Sequence, residues 1–490
     1  MTTAPTRIAP SAPPSRTGPA IALLLVSAFV VVLNETAMGV SIPHIMAGFA
    51  VSAASAQWLT TAFMLTMAVV IPVTGVLLQR YTLRRNFFTA MGLFAIGTAA
   101  AAFAPGFELL LAARVVQALG TSIMLPLLFT TVMQLVEPER RGRTMGLVTI
   151  VTAAAPALGP TVSGVIVSSL GWRWVFILVL PVAVAALVAG AAWLRNVTPT
   201  RDARFDILSV LLSAAGFSGL IYGLASIGEQ AGAEGGWPVW IPLTAGGLAL
   251  LALVVRQVLL RDTDRVLLDI RVFGGRMFTV STIAIVIVSI SLFGSLILLP
   301  LYIQQVLGEP AYVAGLMLLP GGILSGLLAP FVGMAFDKVG PRVLIVPGAV
   351  IVTGAMTAFT TLGAATPVWL VIGMHVMLSI GTALMMTPLM TTALGSVAPN
   401  LYSHASAIVN TLQQVSGAAG TALFITLFSV AASAPAASAG DSLSALAGGV
   451  SAAFGVGAAI SASAIILALF LRKPAAAAGP AVDLGQEGSE

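Results

Sequence analysis

The sequence predicts an all-α polytopic membrane protein of fourteen spans. Three observations carry that prediction: a scarcity of charge, a series of long unbroken apolar runs, and the position of the cations. The chain has 490 residues, of which only 8% are charged and 58% are apolar. A soluble domain carries roughly 25% charged residues. So few charges could not cover the surface of a soluble enzyme of this size, and the composition also excludes a disordered chain. Cysteine is absent and the three histidines, His44, His375 and His404, are isolated. A disulfide framework, thiolate chemistry and a Cys- or His-rich metal site are therefore excluded, and nothing in the sequence calls for a cofactor. The net charge of +5 is not gathered into a basic domain, so nucleic acid is not an expected partner. Arginine outnumbers lysine twenty to two, a bias that points to a GC-rich bacterial genome and hence to a bacterial cytoplasmic membrane.

A bilayer-spanning helix needs about 20 mostly apolar residues. Cutting the chain at charges, Pro/Gly clusters and polar loops leaves fourteen such runs. The first, 20–43, is too long for a cleaved leader and no A-x-A-like site follows it. The next five are 56–79, 87–104, 107–131, 144–168 and 173–194. Two more, 206–227 and 237–260, precede the charged stretch 261–276. The last six are 277–304, 312–335, 342–363, 366–392, 404–431 and 447–471. These runs are continuous rather than alternating, which excludes a membrane β-barrel. Residues 1–19 and 472–490 read as disordered tails.

The cations test the span count independently. With a cytoplasmic N-terminus, 20 of the 22 Lys and Arg residues fall on the cytoplasmic face, and only Arg114 and Arg173 do not. A wrong count would scatter them onto both faces. Both chain ends are thus expected inside.

An internal repeat follows. The loop after span 2 reads Gly75-Val-Leu-Leu-Gln79-Arg80-Tyr-Thr82-Leu-Arg84-Arg85. The loop after span 10 reads Gly333-Met-Ala-Phe-Asp337-Lys338-Val-Gly340-Pro-Arg342. Two bundles of six spans, 20–195 and 277–471, with the pair 206–260 inserted between them, account for this spacing. An even insertion keeps both bundles in one orientation.

These loops resemble the cytoplasmic signature G-x-x-x-D-R-x-G-R-R of the major facilitator superfamily. The first copy departs from it, with Gln79 for the acid and Thr82 for glycine. Leu33-Asn34-Glu35-Thr36, continuing to Pro43, resembles the span-1 motif L-D-x-T-x-x-N-x-x-x-P of its fourteen-spanner drug–proton antiporters, with Asn34 for the acid and Glu35 beside it. That variant is similar to the lincomycin-resistance-type branch. Arg114-Val-Val-Gln117-Ala-Leu-Gly120 resembles the span-4 motif R-x-x-Q-G-x-G. Gly146 through Pro156, Gly159, Pro160, Ser163 and Gly164 resembles the span-5 antiporter motif, and Asn410-Thr-Leu-Gln413-Gln414 is typical of span 13. The resemblance implies a major facilitator fold and an exporter driven by an ion gradient.

Physics alone singles out Glu35. It is the only charged residue between Arg16 and Arg80, about fifteen residues into its span. A carboxylate at that depth is costly to ionise, which makes it a usable proton carrier. The competing reading is a solvated residue near the outer mouth. Arg114 is the only cation deep in a span, so it must face the protein interior or a watery cavity. It either tunes the proton site or serves as a structural hub for spans 1, 2 and 4. Asn34, Gln57, Gln117, Asn410, Gln413 and Gln414 are candidate cavity groups. Gly75, Arg80, Gly333, Asp337 and Arg342 are candidates for conformational gating, with Asp337 ionised near a helix N-terminus or a cation. Pro156, Gly159, Pro160 and Gly164 read as a bent, close-packed seam between the halves. His375, mid-span, is either a packing residue or a proton relay. The segment Arg261–Arg276, with apolar residues among four cations, reads as a surface segment lying on anionic lipid.

No G-x-x-x-x-G-K-[ST] stretch is present, so energy must come from an ion gradient or from the substrate's own gradient. No carboxylate pair or nucleophile–base set lies in the spans, which argues against an enzyme. The expected function is proton-coupled export of hydrophobic or cationic small molecules by a monomer whose partners are substrate, protons and membrane lipid. Export of one endogenous metabolite, lipid or self-made antibiotic is an alternative. A membrane sensor without transport is a remote one, since no soluble domain is available to signal with.

Overall fold

The computed structural model describes residues 17–196, 200, 203–229, 238–261, 263–432 and 442–472. Arg7, Arg16, Arg201, Lys473 and most of the two tails expected at the chain ends lie outside the described residues. Among the described residues there are fourteen α-helices and no strand. The first six are α1 (Thr17–Phe49), α2 (Ala53–Arg80), α3 (Leu83–Ala102), α4 (Phe107–Leu135), α5 (Arg141–Leu170) and α6 (Arg173–Trp193). Then come α7 (Ile207–Glu229) and α8 (Trp240–Leu260). The last six are α9 (Arg276–Gln305), α10 (Ala311–Val339), α11 (Arg342–Phe359), α12 (Val368–Gly395), α13 (Tyr402–Ala432) and α14 (Ser442–Leu469). Each expected span coincides with one helix.

Twelve helices are long and apolar enough to cross a membrane. The other two, α3 and α13, are long enough but open on polar turns. Arg84, Arg85 and Asn86 begin α3, and Ser403, His404, Ser406, Asn410, Gln413 and Gln414 occupy the first half of α13.

The packing repeats. In the first half α5 lies on α1, and α3 packs on α4 and α6; in the second α13 lies on α9, and α11 packs on α12 and α14. The halves meet along two seams, α5 against α10 and α2 against α13. The inserted pair breaks the symmetry. Helix α7 packs on both α2 and α13, at one seam only, and α8 packs on α7. Gly219 and Gly246 let α7 and α8 approach closely, since a Cβ on Gly219 would lie 2.9 Å from the Gly246 Cα.

The repeat also explains the departure at Thr82. Gly340 ends α10 with φ +81°, a left-handed conformation that costs glycine nothing. At the matching position Thr82 instead caps α3, its side chain accepting from the Arg85 N–H, with φ −64°. The first loop has no need of glycine there.

The stretch 261–276 differs from its expected place on lipid. Val266, Leu267, Leu268 and Val272 are buried in the protein, and only Phe273 among its larger apolar residues is well exposed. Protein surface at the α2–α13 seam offered these side chains more contact than a lipid headgroup layer.

Candidate functional site

A buried polar hub joins the first four helices. Arg114, on α4, is 1% exposed and stacks over the Phe63 ring of α2, its guanidinium carbon 4.1 Å from the ring centre. Its Nη1 donates to Gln117 Oε1 at 3.0 Å, and its Nε to the Leu59 carbonyl at 3.5 Å. Gln117 passes the connection on. Its Nε2 donates to Thr98 Oγ1 on α3 at 2.8 Å and to Asn34 Oδ1 on α1 at 3.2 Å. Arg114 and Gln117 share a face because they are three residues apart on one helix. In a low-dielectric interior an unpaired guanidinium is prohibitive, so the hub supplies partners from α2 and α4 directly and from α1 and α3 through Gln117.

Glu35 is next to Asn34 on α1. Unlike the hub it is only half-buried. It forms no direct ion pair with Arg114 among the described contacts, yet the two are near enough to act on one another electrostatically. The hub is therefore a fixed positive charge beside a more accessible carboxyl. Asn34 Nδ2 is buried and has no hydrogen-bond partner among the described residues. Substituting Arg114 by Leu is expected to orphan Gln117 Oε1, while the Leu59 carbonyl keeps its place in the α2 helix. The orphaned group costs about 1–3 kcal/mol, read as a lower melting temperature in detergent. Arg114→Lys should recover part of it, since one ammonium cannot reproduce the guanidinium fork.

The two seams carry the loop motifs. At the α5–α10 seam Gly142 and Gly333 lie against each other, and Asp337 accepts from the backbone N–H of Gly142 at 2.8 Å and of Arg143 at 2.9 Å. The α10 carboxylate thus caps the N-terminus of α5, where orphan donors and the helix dipole favour an anion. Farther along, Gly146 packs on Ala329, and Gly326 and Gly322 on Ala154 and Ala157. Thr149 and Thr387 hydroxyls share a hydrogen bond of 2.7 Å between α5 and α12. At the α2–α13 seam Gly75 lies against His404, Gln79 Nε2 donates to the Asn400 carbonyl at 3.4 Å, and Gln414 Nε2 reaches Met67 Sδ at 3.7 Å. All these contacts lie in the Arg-rich half of the helices.

Several expected site residues sit elsewhere. Gly159 and Gly164 face Thr36 and Val40 of α1, and Ser163 Oγ donates to the Ala37 carbonyl at 2.7 Å. The span-5 motif is thus a seam between halves only as far as Ala157; from Gly159 on it packs within its own half, its small residues facing α1. Gln57 is exposed near the start of α2, away from the hub. Asn410 is buried, with its amide donating to the Ser406 carbonyl one turn back, while Gln413 is half-buried. Arg80 is exposed and donates to the Ala203 carbonyl, in the segment leading to α7. Arg342 is exposed at the start of α11. His375 is buried against Gly321 of α10.

Sequence reasoning missed Thr98, Phe63 and the Leu59 carbonyl, which carry no signal of their own. It also missed Arg141, whose guanidinium binds the Val136 and Met133 carbonyls at the end of α4 and Tyr402 of the other half. Gln257 could have been found as the uncharged polar residue beside Arg256, near the end of an apolar run.

The Major Facilitator Superfamily profile matches residues 24–421. The chain is 39% identical to the lincomycin resistance protein LmrB of Listeria monocytogenes over 84% of its own length and 86% of that protein's. It is 40% identical to the uncharacterized MFS-type transporter YcnB of Bacillus subtilis, over 93% of this chain and 95% of that one. Among solved structures the human organic anion transporter MFSD10 (TETRAN) matches with a TM-score of 0.63 at 13% identity, covering 92% of this chain and 99% of its own; that likeness concerns the fold. With paired six-helix halves, two seams and loop motifs at both, this chain belongs to the major facilitator superfamily, a multi-pass membrane transporter rather than an enzyme.

Proposed function

We propose that the protein is a proton-coupled antiporter that exports hydrophobic or cationic small molecules, antibiotics among them, by alternating access. In this reading all fourteen helices span a bacterial cytoplasmic membrane, both chain ends are cytoplasmic, and the protein works as a monomer. The observation that carries the reading is Glu35, half-buried beside the fully buried Arg114–Gln117–Asn34 hub. A half-buried carboxyl at mid-span that makes no direct ion pair with the neighbouring guanidinium among the described contacts is a group that can exchange a proton with the pathway. Substrate cation and proton then compete for the same carboxylate. Similarity to a lincomycin resistance protein supports export of drug-like molecules.

With the Arg-rich face cytoplasmic, contacts between Gly142–Ala157 and Gly322–Asp337 close the inner side of the pathway. Rocking about mid-span would open that side and close the outer one.

The test is reconstitution into vesicles with an imposed pH gradient, following lumenal pH as lincomycin, ethidium and neutral hydrophobic drugs are added in turn. Substrate-dependent proton movement is expected for at least one. If no compound in such a panel moves protons, the proton-coupled reading fails.

A further inference from the structure

The two seams are related by the repeat but are not latched alike. A short turn beginning at a proline precedes each receiving helix: Pro138–Arg140 before α5 and Pro399–Leu401 before α13. Matching the prolines places Ser403 at the position of Gly142 and His404 at the position of Arg143. In the α5–α10 seam Asp337 caps the receiving helix through the Gly142 and Arg143 N–H groups. The corresponding residue in the α2–α13 seam is Gln79, which instead donates to a carbonyl ahead of the helix. The carboxylate cap is missing there.

Something else occupies that corner. His404 is buried and its Nδ1 lies 3.2 Å from the Leu267 carbonyl. A carbonyl only accepts, so Nδ1 carries the hydrogen. Gly75 of α2 completes the contact. A Cβ there would lie 2.9 Å from His404 Nδ1 and 3.3 Å from the Leu267 oxygen. Three elements therefore meet at Gly75: α2 from one half, α13 from the other, and the segment 264–275 that follows α8.

That segment is tied to the inserted pair. Gln257 of α8, 1% exposed, accepts from the backbone N–H of Leu267 at 2.8 Å and of Leu268 at 3.2 Å. Its Nε2 donates to Ser209 Oγ of α7 at 2.8 Å. Ser209 in turn donates to Asp206, whose carboxylate takes both Nε and Nη2 of Arg256 at 2.6 and 2.7 Å. Within the segment the Asp269 carboxylate pairs with Arg271. Burial alone would raise that carboxyl, but hydrogen bonds from the Arg271 side chain and backbone outweigh burial and hold it below the usual carboxylate range. A fully satisfied polar chain of this kind is rigid, because every link left open would cost an unpaired buried group.

We propose that Gln257 and His404 are positioning residues through which the inserted pair α7–α8 and the segment 264–275 hold the α2–α13 seam closed at its Arg-rich end. The insertion thereby does for this seam what Asp337 does for the other. Only the expectation that the seam opens rests on the alternating-access reading, and the experiment below needs neither substrate nor pH gradient.

The chain has no cysteine, so spin labels can be attached at introduced pairs. Arg84 with Asn400, and Glu139 with Arg342, are exposed and bracket the two seams. Distances are measured by pulsed electron resonance in nanodiscs. Gln257→Leu and His404→Leu are each expected to raise the long-distance population about fivefold or more, the lower end of an ordinary coupling free energy. The double variant should resemble the larger single effect, because both act through Leu267. Asp337→Asn, in the other seam, should add to either. His404→Asn places an amide donor where Nδ1 stood and should retain the closed distribution. Unchanged distances in both single variants overturn the proposal, as does simple additivity between Gln257→Leu and His404→Leu. If Gln257→Leu does not fold, the contrast between His404→Leu and His404→Asn decides: equal distributions in these two overturn it.

Discussion

Glu35→Gln is expected to abolish uphill export while leaving the protein folded and able to bind drug. The substitution keeps shape and hydrogen-bonding capacity and removes only the ability to exchange a proton. One pH unit is worth about 1.4 kcal/mol per proton, or a tenfold substrate ratio for each proton exchanged. Vesicles holding the native protein under a one-unit gradient should therefore build at least a roughly tenfold drug gradient. Those holding the variant should settle near equal concentrations on the two sides. Drug binding, followed by fluorescence quenching, should persist and lose its dependence on pH across the working range. Undiminished proton-driven accumulation in the variant would remove Glu35 from the mechanism. Glu35 is only half-buried, while the hub residues Arg114 and Gln117 are fully enclosed. The mutation therefore leaves the Arg114–Gln117–Asn34 bonds in place, and a collapse of the fold is not expected.

Gly142→Leu carries the second large effect. A Cβ at this position would fall on the Asp337 carboxylate and within 2.6 Å of the Gly333 carbonyl and the Phe336 ring. One of those neighbours, the Gly333 carbonyl, is backbone and cannot swing aside. The α5–α10 seam as packed cannot form around a leucine, so a state in which the seam is parted is expected to be favoured. Overpacking of this kind costs about 1–3 kcal/mol, which moves a two-state equilibrium about 5- to 150-fold. The Glu139–Arg342 label pair should shift to long distances, and turnover should fall steeply with little loss of melting temperature. Gly333→Leu, pointing into the same contact from α10, should behave alike. A native distance distribution with native turnover would mean that the seam is not a moving part.

Most of the helical scaffold was legible before any contact was known. The fourteen apolar runs each coincide with one helix among the described residues, and helix packing on the two sides of the inserted pair follows one pattern. Local composition suffices for this, because a helix in lipid must satisfy its own backbone and present apolar side chains along its length. The same reasoning overreached at 261–276. Alternating cations and apolar residues describe a segment lying on lipid equally well as one folded onto a seam, and only the neighbouring helices distinguish them. It overreached again at Gly159 and Gly164, since small residues announce close packing without naming the helix that comes close.

The candidate site was half legible. Glu35 and Arg114 stood out because a charge inside an apolar run has no bland explanation in lipid. Thr98 and Phe63 did not, being ordinary residues made important by the rotation of α2 and α3 about their axes. Membership of a membrane-resident, all-helical, two-half transporter family is thus written in one-dimensional quantities, hydropathy, charge position and motif spacing, that add along the chain. Which polar groups meet is not. Arg114 finds Phe63, Asp337 finds the start of α5, and His404 finds Leu267, across separations of 51 to 195 residues. Those partnerships are set by helix crossing and rotation, which side-chain packing decides within an ångström or two, and no local stretch of sequence records them.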